Sequence, residues 1–121
     1  MAAIRHLASG TVLADQVVVA RGGWQRMIGL LSRVSFSDGE AMVFPRCHAI
    51  HTCFMRFSID VIFLRTVQGS GFGVGGVVVK IVHQLFPFRF AMTWGADTVV
   101  ELPAGACERA GLQRGELLEI A

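Results

Sequence analysis

The stretch from Pro45 to Leu64, PRCHAIHTCFMRFSIDVIFL, decides the fold that the sequence predicts and concentrates its reactive side chains. Two runs rich in β-branched and aromatic residues, Ile50–Met55 and Ile59–Leu64, predict two strands. The three residues between them predict a bend or a bulge. The stretch also contains side chains that catalytic and metal sites use: Cys47, His48, His51, Cys53, Met55 and Asp60. We therefore expect any functional site to include residues of this segment.

The remainder of the chain predicts more strands than helices. Further strands are predicted at Thr11–Ala20, Ala41–Phe44, Val77–Val82, Val99–Leu102 and Leu117–Ile120. Short helices are predicted at Trp24–Arg33 and Ala104–Ala110, and the glycine-rich segment Gln68–Gly76 predicts a turn or a mobile loop. The long helices that parallel crossovers require are missing. We expect a mainly β (α+β) fold, a compact and largely antiparallel sandwich or distorted barrel with two short helices.

Composition favours one soluble domain spanning residues 1–121. Apolar residues make up 53% of the chain and charged residues 17%, which is typical of a dense core with an apolar face left over for a partner. The most apolar stretch, Gly71–Val79, is much shorter than the roughly 20 residues that a spanning helix needs, so we expect no membrane span. No linker or shift in composition divides the chain.

Charge and cysteine content limit the partners and the compartment. The net charge is only +2, and the basic residues are scattered, so we expect no nucleic-acid partner. The N-terminal segment lacks the long apolar core of a secretory signal. We therefore expect a cytoplasmic protein in which all three cysteines, Cys47, Cys53 and Cys107, are free thiols.

A metal site is one interpretation of the Pro45–Leu64 stretch. If residues 47–55 formed a single strand, Cys47, His51, Cys53 and Met55 would share one face, and these soft ligands suit copper or zinc. However, same-face neighbours on a strand lie roughly 6–7 Å apart, so a straight strand cannot bring them to one point. We expect no metal site and no cofactor, since small buried cysteines and a core methionine explain the same residues.

Catalysis is the other chemical interpretation. Cys47 or Cys53 could pair with His51, assisted by Asp60, but free cysteines are usually buried and inert. Asp60 lies in an apolar run where an acid is disfavoured, so it contacts an arginine, caps backbone amides or binds a ligand. Glu101, between Val100 and Leu102, poses the same question. No catalytic motif supports an enzyme, and none of these alternatives is selected by the residues alone.

The chain also resembles a known family, the domain of unknown function 192, also called uncharacterised protein family 0127. The resembling motifs are RMIGLL at 26–31, CHAIHTCFMRFSIDVIFL at 47–64, PFR at 87–89, ELPAG at 101–105 and GLQRGE at 111–116. They cover nearly the whole chain in the expected order. Arg65, the long glycine-rich hairpin and Glu116 depart from the family pattern.

The resemblance implies a compact, mainly β domain from bacteria or archaea, and it implies no particular reaction. Its polar motif positions are the candidate binding residues: Arg26, His51, Thr52, Asp60, Arg89 and Glu101. We expect a non-catalytic binding module for a small ligand or a peptide. The alternatives are a small enzyme using His51 with Asp60 or a cysteine, and a soft-metal protein binding copper or zinc.

Overall fold

The computed structural model describes residues 3–19, 36–52, 57–68 and 74–121, and these residues form nine strands and one helix. The strands are β1 (Ile4–His6), β2 (Val12–Val19), β3 (Gly39–Pro45), β4 (Ala49–His51), β5 (Ile59–Gln68), β6 (Val74–Leu85), β7 (Phe90–Met92), β8 (Thr98–Pro103) and β9 (Leu117–Ile120). The helix, α1, spans Ala106–Ala110.

Seven strands close a barrel in the order β1-β2-β3-β8-β5-β6-β9, and β4 pairs with β7 in a separate two-stranded sheet. The described pairs are antiparallel except β2 with β3, which is parallel. Closure leaves the barrel without the exposed edge strands that an open sheet would present. The small sheet lies against the outside of this barrel.

Strand β5 has apolar side chains on both faces because it lies between two cores. Ile62 and Leu64 point into the barrel, where they pack with Val100, Leu102 and other buried residues. Val61 and Phe63 point outward into a second core that includes Ala91 of β7 and the half-buried Ile50 of β4. A strand covered on both faces reads as a continuous apolar run rather than an alternating one, as residues 61–64 do.

Helix α1 lies between two glycines in the left-handed region, Gly105 with φ 90° and Gly111 with φ 65°. Glycine adopts this conformation without the steric cost that other residues have. Cys107 in the helix and Leu112 after it are buried in the barrel core. The helix therefore covers the barrel interior with very few residues.

Most of the predicted elements are confirmed, with longer bounds for the strands at 41–44, 59–64, 77–82 and 99–102. The architecture is a barrel rather than a sandwich. The predicted helix at Trp24–Arg33 lies outside the described residues, so α1 is the one predicted helix that the structure describes. No helix among the described residues is both long enough and apolar enough to cross a membrane.

The structure differs from the predictions at several strands. The predicted loop at Gln68–Gly76 is shorter than expected at both ends, since β5 continues to Gln68 and β6 begins at Val74, and residues 69–73 lie outside the described part. Strands β1 and β7 were not predicted. The strand predicted at Ile50–Met55 is β4, which begins at Ala49 and ends at His51, and residues 53–56 lie outside the described part. The single strand over residues 47–55 considered for a metal site is not formed, since residues 47 and 48 precede β4.

Candidate functional site

The last two residues of β6 and the turn that leads to β7, Gln84 to Arg89, have a constrained backbone and are together called the connecting segment below. Gln84 has a φ of 52° and Phe88 a φ of 61°, both in the left-handed region although neither residue is glycine. Such conformations cost on the order of 1 kcal/mol and persist when surrounding contacts hold them. Two polar side chains that the sequence singled out, Thr52 and Asp60, supply those contacts.

Thr52 is fully buried and fastens the connecting segment from the end of β4. Its hydroxyl donates to the Phe86 carbonyl oxygen at 2.6 Å and accepts from the Arg89 amide at 2.9 Å. Its own amide donates to the Arg89 carbonyl at 2.9 Å, and its carbonyl accepts from the Phe88 amide at 3.0 Å. A single threonine therefore satisfies four backbone groups of this turn, and its role is to hold the turn's shape.

Asp60 is also fully buried, and its carboxylate joins three parts of the fold. Oδ1 accepts from the Gln84 amide at 2.9 Å, and Oδ2 accepts from the Cys107 amide at 3.0 Å. The carboxylate on β5 is thus bonded to the start of the connecting segment and to the first turn of α1. The sequence left three roles open for Asp60: an arginine partner, a cap on backbone amides and a ligand contact. The observed contacts are those of a cap on backbone amides.

The cysteines that the structure describes, Cys47 and Cys107, are free thiols as predicted, and Cys53 lies outside the described residues. Burial raises the pKa of the Cys107 thiol far above its usual range, and the neighbouring Asp60 carboxylate raises it further. Cys107 therefore stays protonated and is a poor nucleophile. The Cys47 thiol donates to the Ala49 carbonyl at 3.0 Å.

The remaining predicted residues are in different environments. His51 is exposed on β4, opposite Phe90 of β7, and Arg89 is exposed with its guanidinium donating to the Phe88 carbonyl at 3.4 Å. Glu101 is buried on β8, in register with Met42 and Val61. Arg26 lies outside the described residues. The structure thus brings Thr52, Asp60 and Arg89 to the connecting segment and places His51 beside it.

An exposed set of aromatic side chains follows the same segment, and the sequence reasoning missed it. We call Phe86, Phe88, Phe90 and Trp94 the aromatic surface. Each is between 57% and 79% exposed, and the Trp94 ring stacks on His48 with centroids 5.1 Å apart. The three phenylalanines in FPFRF at 86–90 were the available signal, because a connecting segment interrupted by proline usually lies at the surface and leaves such rings in water.

The outer face of the small sheet is formed by alternate residues. Ile50 and Ala91 face the second core, so the pairs flanking them, His51 with Phe90 and Ala49 with Met92, face away from it. Residues 44–52 and 86–94 contain no acidic residue, whereas they contain Arg46, His48, His51 and Arg89. The surface is therefore aromatic and basic.

Neither a metal site nor two open clefts of the described part of the chain involve the predicted site residues His51, Thr52 and Asp60. Within the described residues, no three side chains among His, Cys, Asp and Glu are placed to hold a metal ion. One cleft, of about 420 Å³, lies between β2 and α1, and another, of about 640 Å³, lies along β6. Neither of these two clefts is lined by His51, Thr52 or Asp60.

Comparison with known proteins identifies a family and two similar structures. The model of the family DUF192, described as "Uncharacterized ACR", matches residues 5–120. A crystal structure from Sinorhizobium meliloti 1021, described as a proposed transcription regulator, is 23% identical with a TM-score of 0.77, covering 98% of this chain and 91% of that one. No curated protein matches.

A second crystal structure, of a protein of unknown function from Novosphingobium aromaticivorans DSM 12444, is 22% identical with a TM-score of 0.73. The match covers 98% of this chain and 82% of that one. At these identities the two structures support the fold alone, because a shared fold does not fix a function.

Proposed function

Since this chain belongs to the DUF192 family, whose description assigns no activity, we propose its function from the site: a non-catalytic binding module for an extended peptide segment with apolar and acidic side chains. The observation that carries the proposal is the aromatic surface formed by Phe86, Phe88, Phe90 and Trp94. Large exposed aromatic side chains are typical anchors of recognition surfaces.

The exposure of the aromatic surface supports a role in binding rather than in folding. Phe90 is 65% exposed and Trp94 is 79% exposed, so little of either side chain contributes to the core. Burying such a side chain against a partner removes a large apolar area from water at a small entropic cost, because aromatic rings have few rotatable bonds. Trp and Tyr anchors of this kind dominate many interfaces.

The charge of the surface supports an acidic partner. Arg46 and Arg89 are exposed on the segments that form the surface, and each carries a guanidinium group that can pair with a carboxylate. The segments that form the surface contribute no carboxylate to oppose them. Complementary charge across an interface fixes register and excludes wrong partners.

The fixed backbone of the connecting segment supports a preformed surface. The hydroxyl of Thr52 and the carboxylate of Asp60 hold Gln84, Phe86 and Arg89 through backbone bonds of 2.6–2.9 Å. A surface that is already ordered loses less entropy on binding. In this proposal His51 and Arg89 contact the ligand, and Thr52 and Asp60 are positioning residues.

A peptide-binding experiment tests the proposal. The probes are three fluorescein-labelled peptides of equal length that alternate leucine with glutamate, leucine with lysine, and serine with glutamate. We expect saturable binding of the leucine–glutamate peptide by fluorescence polarisation and at least tenfold weaker binding of the other two. Trp94→Ser should weaken binding about tenfold or more, which is typical of a central aromatic anchor.

Val18→Ser is the matched control, because Val18 is 58% exposed on β2 of the barrel. Equal losses for Val18→Ser and Trp94→Ser would contradict the proposal, as would equal binding of all three peptides. A duplex and a single-stranded oligonucleotide complete the set, since basic and aromatic surfaces also bind single strands. Tighter binding of either oligonucleotide than of the acidic peptide would replace the peptide with a nucleic acid as the partner.

A further inference from the structure

A second candidate site, separate from the aromatic surface, is the open cleft of about 640 Å³ along β6. Its walls are residues of β6 between Val79 and His83, Thr93 after β7, and the loop from Leu112 to Arg114. The titratable side chains that line it are Lys80, His83 and Arg114, and all three are basic. A concave site with convergent groups of one sign is a site for a ligand of the opposite sign.

Lys80 and His83 line the same cleft although they are three positions apart on β6, and a bulge lies at His83. Residues separated by three positions on a regular strand point to opposite faces. Here Ile59 pairs with Leu85 and Val61 pairs with Val82, so two steps on β5 correspond to three on β6. His83 is therefore part of the bulge and is not bound by the regular alternation of the strand.

The opposite wall is held close to β6 by backbone hydrogen bonds. The Gly115 amide donates to the Val78 carbonyl at 2.7 Å, and the Val78 amide donates to the Glu116 carbonyl at 2.8 Å. These bonds fix the loop that carries Arg114 against the strand that carries Lys80. The backbone positions of the two basic residues are therefore fixed by the fold.

The nearest acidic residue in sequence, Glu116, does not line the cleft, and its carboxylate is engaged by one cleft residue, Gln113, and by His6. Its Oε1 accepts from the Gln113 amide at 2.6 Å and lies 3.0 Å from Nε2 of the buried His6. Lys80 donates to the Met92 carbonyl at 3.3 Å, which leaves other ammonium protons available. No acidic side chain is among the residues that line the cleft.

We propose that this cleft binds a small phosphorylated molecule, with its phosphate group held by Arg114 and Lys80 and further contacted by His83. The guanidinium of Arg114 presents a planar set of donors that matches phosphate oxygens, and the ammonium of Lys80 supplies a compact charge. The apolar Val79, Ile81 and Leu112 in the same cleft would contact the uncharged part of the molecule.

Titration with inorganic phosphate, followed by NMR of the backbone amides at constant ionic strength, tests the proposal. We expect saturable shifts confined to the amides of 79–83 and 112–115. Arg114→Gln should weaken binding about tenfold or more, the loss that follows removal of one hydrogen-bonding charged partner. Lys80→Gln provides a second variant with a loss of similar size. Both residues are exposed, so neither variant should unfold the protein.

Arg5→Gln is the control, because it removes the same charge from an exposed residue of β1 that does not line the cleft. Unchanged binding in Arg5→Gln supports a localised site. Shifts that spread over the whole surface, or equal losses in Arg5→Gln and Arg114→Gln, would overturn it. Tighter binding of malonate than of phosphate would also overturn the assignment, since a dicarboxylate would then be the preferred ligand class.

Discussion

The barrel and the small sheet β4–β7 use their side chains in opposite ways. In the barrel, the carboxylate of Asp60 lies inside a closed structure and is satisfied by two backbone amides. On the small sheet, Phe90 of β7 and the nearby Trp94 lie largely in water. Residue type alone would have placed the aspartate outside and the aromatic rings inside. The exceptions therefore separate a polar group with a structural role from apolar groups available for binding.

The two regions also differ in how they are stabilised. The barrel is closed by hydrogen bonds between neighbouring strands around its circumference. The small sheet has strands of three residues each, and an isolated pair of that size is not stable in water. It depends on the second core beneath it and on the bonds of Thr52 beside it. Substitutions that test these supports should therefore affect the regions differently.

The largest expected effect is that of Asp60→Ala. The substitution leaves the buried amides of Gln84 and Cys107 without acceptors, and an unsatisfied buried polar group costs about 1–3 kcal/mol. We expect the free energy of unfolding to fall by about 2–5 kcal/mol in total, measured by urea denaturation.

Asp60→Asn is the matched control for that prediction. Its side chain has the same shape and retains one oxygen acceptor, so we expect a smaller loss than for Asp60→Ala. A loss below about 1 kcal/mol for Asp60→Ala, the size typical of surface substitutions, would contradict the structural role of the carboxylate. The barrel would then offer no example of a buried polar group with a structural role to set against the exposed aromatic side chains of the small sheet.

Thr52→Val should have the next largest effect. Valine keeps the size and branching of threonine but leaves the Phe86 carbonyl and the Arg89 amide without their side-chain partner. We expect a loss of about 1–3 kcal/mol in the free energy of unfolding. Binding of the leucine–glutamate peptide should also weaken, because the aromatic surface follows the segment that Thr52 fixes.

Thr52→Ser retains the hydroxyl and serves as the control. It should preserve peptide binding and lose much less stability than Thr52→Val. If valine and serine variants bind the peptide equally well, the hydroxyl does not organise the surface. That outcome would separate the stability of the small sheet from its proposed function.

These residues also show why the sequence predicted the barrel better than the site. The apolar run at 59–64 and the turn residues around it predicted β5 correctly, because burial on both faces leaves a local signature. Asp60 was recognisable as anomalous from that run alone. The role of Asp60 as a hydrogen-bond acceptor could not be recognised from the sequence. Gln84 and Cys107 are distant in sequence, and only the folded barrel brings their amides to one carboxylate.

The small sheet had weaker local signals. Strand β7 is three residues long and begins just after the turn at Pro87 and Phe88, so no run of alternating residues predicted it. The pairing of His51 with Phe90 depends on the register of two segments almost forty positions apart. The basic cleft was hidden for the same reason, because only the fold brings Arg114 to the strand that carries Lys80 and His83.

Asp97 connects the barrel to the segment that leads into the small sheet, and acidification should test this connection. The expected change in the free energy of unfolding is smaller than for Asp60 or Thr52. Asp97 precedes β8 and accepts from the Thr66 amide, while its carbonyl accepts from the Cys47 amide that leads to β4. Burial alone would raise the pKa of Asp97, but hydrogen bonds from Thr66 and Thr98 and the charge of Arg65 hold it below its usual value of 3.8. Its stabilising contribution is therefore complete above that pH.

The contribution should be lost as the pH falls below 3.8 toward the lower pKa of the folded protein. Because Asp97 is largely exposed, solvent screens the interaction, and we expect less than about 1 kcal/mol. The measurement compares urea denaturation of the native protein and Asp97→Asn at several pH values. The stability difference should narrow in acid. A difference that stays constant between about pH 6 and pH 3 would show that the carboxylate's charge contributes nothing.

The smallest expected effect on stability is that of Phe90→Ser, which can be compared with its neighbour on β7. Phe90 is 65% exposed, whereas Ala91 is 7% exposed and packs in the second core. We expect Phe90→Ser to change the free energy of unfolding by less than about 1 kcal/mol, since it removes only a cross-strand contact with His51. Ala91→Asp should cost several times more, because it places an unpaired charge in that core. Peptide binding should depend on the two positions in the opposite way. Phe90→Ser should weaken binding of the leucine–glutamate peptide. Ala91→Ser keeps a small side chain facing the second core, so it should leave peptide binding nearly unchanged. Equal destabilisation by Phe90→Ser and Ala91→Asp would mean that the exposed Phe90 ring stabilises the fold. The aromatic surface would then be a structural feature, as the barrel core is, rather than a binding surface.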